Sequence, residues 1–262
     1  MHLFELEDQA WWPQSLRDAM TDFLSFTALR AGWIYAPFVD KLARAMQRCG
    51  VSRLVDLCTG GCGPAAVFAR LLMERGVVLD EVLLTDLFPN VARMERTAGS
   101  TKAKLTVVKM PVDATAVPIE LSGFRTLCNG FHHLSPDAAR RCLQDAVTKR
   151  QGIAVIELVE RSSRGFFQVA SAILLMLVAT PLILPFRWSR LFYTYCVPVI
   201  PLATLWDGMV SCLRVYSPKE LGDLVAQLPQ NDYEWDIGRI PVRGTPVRIT
   251  YLIGTAPATL GR

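Results

Sequence analysis

A chain of 262 residues, 51% hydrophobic and 20% charged, is long enough for one large α/β domain or two small ones and too apolar for disorder. Its net charge of +4 comes with no lysine or arginine run and no aromatic-basic interleaving, which argues against nucleic acid as a partner. Seven cysteines without a CxxC spacing and only three histidines argue against a disulfide framework and a metal site, and point to a reducing, cytoplasmic compartment.

The opening "MHLFELEDQAWWPQ" begins with acids and carries no basic-then-apolar leader pattern. Pro13 suits a helix start, and Leu16, Met20, Phe23 and Thr27 follow at helical spacing. A second helix is expected from Pro37, with Val39, Leu42, Ala43 and Met46 on one face, ending at Gly50. The aromatic density of "AWWP" and "GWIYAPF" makes residues 1–50 a candidate helical lid, against the plainer reading of two helices packed on the domain.

From residue 51 short apolar runs alternate with helical stretches. The runs cover 53–58, 81–87, 104–110, 124–129 and 152–160, and proline-initiated helices are expected over Pro64–Arg75 and Pro136–Lys149. Such alternation implies right-handed crossovers and a parallel sheet. Residues 161–215 form an apolar insertion, whose segment "FFQVASAILLMLVATPLILPF" is uncharged and long enough to cross a bilayer. Pro181 and Pro185 interrupt it, and Arg164, Arg187, Trp188, Arg190 and Tyr193 suit a membrane interface. A hairpin span, a cap that is buried or dips into a membrane surface, and an ordinary cap or homodimer interface are the three readings weighed. Residues 216–262 then supply a helix with a Ser217–Glu220 capping pattern and two alternating runs, an antiparallel edge hairpin. The chain reads as a single α/β domain: a doubly wound, mostly parallel seven-stranded sheet with N-terminal helices, an apolar helical cap and a C-terminal edge hairpin.

Ligands of such sheets bind beyond the carboxyl ends of the strands. There "VDLCTGGCGPAAVFARLL" places Asp56 at the end of the first strand and Gly60, Gly61 and Gly63 in a turn into a helix. Glycines there admit a close ligand and leave helix N-terminal amides free. Asp86, Asp113 and Asn129 end the next three strands, in register with that loop.

These residues resemble the core of the class I S-adenosylmethionine-dependent methyltransferases over 51–160. "DLCTGGCG" is similar to the family's first motif, with Cys58 and Cys62 standing where that family usually has glycine. The resemblance implies S-adenosyl-L-methionine as cofactor, with Asp56, Cys58, Gly60 and Gly61 in the loop. It makes Asp86, followed by Leu87, the ribose-binding acid, Asp113 with Ala114 the adenine-contacting pair, and Asn129 part of the fourth motif, "NGFHHLSP". His132 and His133 border that pocket and are candidate bases, since imidazole titrates near neutral pH. Asp207, an acid beside the apolar insertion, is a third catalytic candidate, against a pair with Arg214 or a helix cap. The insertion falls where this fold carries its substrate cap, so a small lipophilic acceptor is expected, with the protein cytoplasmic or peripheral on the inner face of a membrane. Two rivals are a membrane-associated binding protein without turnover and an NAD(P)-dependent oxidoreductase. The second needs glycine where Cys58 stands and finds no Tyr-xxx-Lys pair.

Overall fold

The first helix, α1 (Gln14–Arg30), buries Leu16, Ala19, Met20 and Phe23, and leads through a 3₁₀ turn at Gly32–Tyr35 into α2 (Ala36–Cys49). Gly50 ends α2 in the left-handed region, φ 64°, the conformation that favours glycine at a helix C-terminus. This computed structural model describes residues 3–99, 101–229 and 232–256. The outermost ends of the first and last expected segments therefore lie outside the described residues.

Alternation then begins. Strand β1 (Arg53–Leu57) precedes α3 (Gly63–Glu74), β2 (Glu81–Leu84) precedes α4 (Val91–Ala98), and β3 (Leu105–Val107) follows. Next come β4 (Phe124–Cys128), α5 (Pro136–Thr148) and β5 (Ile153–Glu157). The sheet order is β3-β2-β1-β4-β5-β7-β6. The first five strands are parallel; β7 (Arg248–Thr255) runs antiparallel to β5, and β6 (Glu234–Pro241) closes the edge as its hairpin partner. The reversal between β1 and β4 is the switch point of the sheet, where open α/β folds bind ligands.

Two apolar layers flank the sheet. On one face Phe38, Leu42 and Met46 of α2 and Phe68 and Leu72 of α3 pack on Leu54 and Val82. On the other, Leu143 of α5 and Leu221 and Leu224 of α9 (Pro218–Ala226) cover Val55, Leu127 and Val155. The capping box expected at Ser217 is present, with Ser217 Oγ accepting from Glu220 N and Glu220 Oε2 accepting from Ser217 N.

The insertion is a helical cap. Helix α6 (Ser163–Ala179) runs into a 3₁₀ turn at Thr180–Leu182; α7 (Trp188–Leu191) and a π-helical turn at Phe192–Cys196 reverse the chain into α8 (Val199–Arg214). Its inner side forms a third cluster with α1: Met20 and Phe23 meet Met176, Ala179, Ile183, Ile200 and Ala203. The tip is fastened by charge. Buried Arg190 donates through Nη1 to Asp22 Oδ2 at 3.0 Å, and through Nη2 to the carbonyls of Ile183 and Pro185. Arg93 of α4 binds Asp18 and Asp22 from the other side, at 3.1 and 3.2 Å. Arg190, expected at an interface, is thus turned inward, because a carboxylate on α1 and two backbone carbonyls pair both its terminal nitrogens.

Candidate functional site

The glycine loop turns through the left-handed region at three residues. Cys58 and Cys62 both lie in the left-handed region, φ 56° and 62°, and Gly60 joins them at 49°. Two cysteines therefore hold the backbone shape of glycine at some steric cost. Burial, and then the charges of Asp86, Asp56 and Asp113, keep the Cys58 thiol protonated.

Asp56 is buried and serves the loop from below: Thr126 Oγ1 donates to Oδ1 at 2.7 Å and Thr59 Oγ1 to Oδ2 at 2.9 Å. Burial pushes its carboxyl up to about 6 against those two hydroxyls. Asp86, beyond the end of β2, accepts from Gly60 N at 2.8 Å on Oδ2 and from Phe88 N at 2.9 Å on Oδ1. Each oxygen accepts one backbone bond and keeps a further lone pair, so the carboxylate can still take two hydroxyl donors. The face of Gly60 is open, since a Cβ built there would meet nothing nearer than the Cys58 carbonyl at 4.0 Å. Such an open, left-handed glycine beside a helix start and a forked carboxylate fits the ribose and amino-acid end of a nucleoside cofactor.

The other expected contacts lie around this centre with different partners. Gly61 is pressed by α1: an added Cβ would sit 1.8 Å from Ser25 Oγ, and Ser25 donates to the Gly61 carbonyl at 2.9 Å. Its bareness serves helix packing. Leu87 is 44% exposed, and an open cleft of about 480 Å³ lies beside it, lined by Phe88, Pro89, Asn90, Pro111 and Gln14. Asp113 accepts from Thr115 N at 2.8 Å and stays exposed, with Ala114 buried behind it. Asn129, at φ 53°, accepts from Leu158 N and so ties the ends of β4 and β5 together.

The two histidines follow on a 3₁₀ turn, Phe131–His133. His132 is buried, and its Nδ1 lies 2.8 Å from Glu157 Oε2, while Glu157 Oε1 accepts from the backbone amides of Phe131 and His132. That carboxylate fixes the ring, and Nε2 faces the buried Glu5 carboxylate at 3.9 Å. His133 Nδ1 lies 2.9 Å from Asp8 and 3.4 Å from Glu5. Burial alone would lower His133, but the Asp8 bond and the Glu5 charge outweigh it and hold it at about 9.

Glu5 and Asp8 belong to a strap preceding α1. Glu5 is buried, its Oε1 3.9 Å from His132 Nε2 and 3.4 Å from Arg214 Nη1; Arg214 also binds Asp8 at 2.9 Å. Asp207, the third catalytic candidate, accepts from the amides of Leu6 at 2.6 Å and Glu7 at 3.0 Å. Both its oxygens hold the strap, and Arg214 pairs with Asp8. Burial raises Asp207 to about 6 and Glu7 to about 7. Glu5, His132 and His133 present donor atoms within 4.8 Å of one another, the only such group among the described residues, and Arg214 already supplies positive charge there.

Glu157, Glu5 and Asp8 were not singled out from sequence, and Arg214, weighed as a partner of Asp207, pairs with Asp8 and Glu5 instead. Glu157 ends an apolar strand run, and its pairing with His132 comes from the β4–β5 register, Cys128 opposite Ile156. No local signal marks it.

No family model matches the sequence, and no curated protein matches it either. Solved structures do match in fold. The plantazolicin methyltransferase BpumL in complex with SAH superposes with a TM-score of 0.57 at 9% identity, over 95% of this chain and 93% of that one. The CMeT domain of the citrinin polyketide synthase gives 0.54 at 12% identity, over 97% of this chain and 60% of that chain. With the strand order and the reversed hairpin, these likenesses give the chain the fold of the class I S-adenosylmethionine-dependent methyltransferases.

Proposed function

We propose that the protein transfers a methyl group from S-adenosylmethionine to a hydroxyl oxygen of a small, apolar acceptor. The observation that carries the reading is the His132–Glu157 pair at the cofactor edge of the sheet, whose Nε2 makes no hydrogen bond among the described residues and faces Glu5 of the strap across 3.9 Å. A base is needed only where the acceptor is protonated, which favours an alcohol or phenol. S-adenosylmethionine, when bound, supplies a methyl group already activated by a sulfonium.

Asp86 and the Gly60 loop would hold the ribose and amino-acid end, and Asp113 with Ala114 the adenine edge. Glu157 orients His132. His132 Nε2 would take the proton of the acceptor hydroxyl as that oxygen attacks the activated methyl group. The proton then passes to solvent. The strap, pinned by Asp207, His133 and Arg214, acts as the lid that excludes water, and the apolar cap α6–α8 supports an apolar acceptor.

The test is transfer of labelled methyl from S-adenosylmethionine to a panel of apolar alcohols and phenols. His132→Ala should lower kcat by about 10²–10⁴-fold with unchanged cofactor affinity. Glu157→Gln should act through His132, shifting the pH profile of kcat. Equal turnover by wild type and His132→Ala on a methylated hydroxyl would overturn the assignment.

A further inference from the structure

The 46 residues from 161 to 206 contain no acid and no lysine, but four arginines. In the fold they form the cap, whose outer face is bare. Leu174, Val178, Leu182, Leu184 and Trp188 are each at least 65% exposed. Patches of this size on a soluble protein mark an interaction surface. Helix α6 with its 3₁₀ turn, Ser163–Leu182, is 20 residues of mean hydropathy 1.9, of which only 28% of the apolar stretch is buried.

We infer that this face docks on a fluid bilayer carrying anionic headgroups, with the Thr180–Pro198 tip dipping into it and not crossing. Charge decides between a bilayer and a second copy. Arg161 and Arg164 are exposed at the base and Arg187 is partly exposed at the tip. Arg161 and Arg187 keep acids of their own chain, Glu220 at 3.2 Å and Asp18 at 3.7 Å, but in a two-fold dimer this acid-free patch would face itself and give Arg164 no acidic partner. Anionic headgroups complement it directly.

Packing decides between dipping and crossing. The tip is bound to the body through Arg190, Asp22 and the Ile183 and Pro185 carbonyls. Helix α1, which carries Asp22, is itself held on the glycine loop by Ser25. A full crossing would tear Arg190 from Asp22 in hydrocarbon, where unpaired charge is costly. Trp188, 78% exposed, sits at the tip beside Arg187, the aromatic and basic pairing suited to headgroup depth.

The experiment is co-sedimentation of the full chain with large unilamellar vesicles of phosphatidylcholine, with and without phosphatidylglycerol, in the absence of cofactor. It is therefore independent of whether methyl transfer is correctly assigned. The protein should pellet with the anionic vesicles, more weakly as salt rises. Leu184→Glu/Trp188→Glu should lower the partition coefficient at least about tenfold, as two large apolar side chains leave the interface. Val78→Glu, an equally exposed apolar position outside the cap, should leave it unchanged. Matched melting curves and circular dichroism keep misfolding apart from lost docking. No pelleting with either vesicle, or equal loss from Val78→Glu, would overturn the proposal. So would retention in the membrane after alkaline extraction, or a stable dimer in solution that the double substitution dissolves.

Discussion

Removing Asp22 tests how the cap is held. Its carboxylate is buried between two guanidinium groups, Arg190 at 3.0 Å and Arg93 at 3.2 Å, and Arg190 is 3% exposed. Asp22→Ala leaves Arg190 with only backbone carbonyls and Arg93 with Asp18 alone. Deleting one partner of a buried pair strands an unpaired charge and costs about 3–5 kcal/mol. At an unfolding entropy of about 2.1 cal/mol/K per residue, a chain of this length loses about 5–9 °C in Tm. Asp22→Leu/Arg190→Met removes the Arg190 pair and fills the space while Arg93 keeps Asp18, so it should recover the Arg190 share of the loss, because buried pairs are close to neutral against apolar substitutes. Scanning calorimetry at neutral pH reads both variants. A drop under about 2 °C for Asp22→Ala, or a double variant no more stable than the single one, would refute the reasoning.

Glu7 gives the strap a pH dependence. Its folded carboxyl is raised by burial from 4.5 to about 7, so its stabilising contribution is complete below the unfolded value and is lost as pH rises through about 7. Wild type should lose about 1–3 kcal/mol between pH 5 and pH 8 that Glu7→Gln retains, and an unchanged pH profile in the variant would contradict this. At Cys58 the left-handed backbone tolerates glycine, so Cys58→Gly should alter stability by under about 1 kcal/mol, while Cys58→Val should cost about 2–3 kcal/mol in thermal unfolding.

Much of the fold was legible because the four inner parallel strands are largely buried and read as short apolar runs, and the partly buried edge strand β3 kept an apolar pattern too. All five were found, although the run at 81–87 pairs only over Glu81–Leu84 and that at 104–110 only over Leu105–Val107. Helix α4 was missed: "VARMERTA" is only eight residues long and buries only Arg93 and Met94, too short a segment for its helical pattern to stand out. The loop was legible because its glycines and acids are close in sequence. The rest of the site depends on long-range pairing. Glu157 meets His132 through strand register, and Glu5 and Asp8 meet His133 and Arg214 only once the strap folds back over the sheet. Asp207 was singled out for its burial, which is real, and its two oxygens turn out to be bound to the strap amides.

The most direct test is calorimetric titration of the purified protein with S-adenosylhomocysteine and, separately, NADH, repeated on Asp86→Asn. Asp86→Asn keeps the size of the side chain and replaces one acceptor oxygen with a donor. The account expects S-adenosylhomocysteine to bind and NADH not to, with affinity falling about 10- to 100-fold in the variant as charge-assisted bonds to the ribose are lost. A folded protein that binds NADH instead, or neither nucleoside, would contradict it.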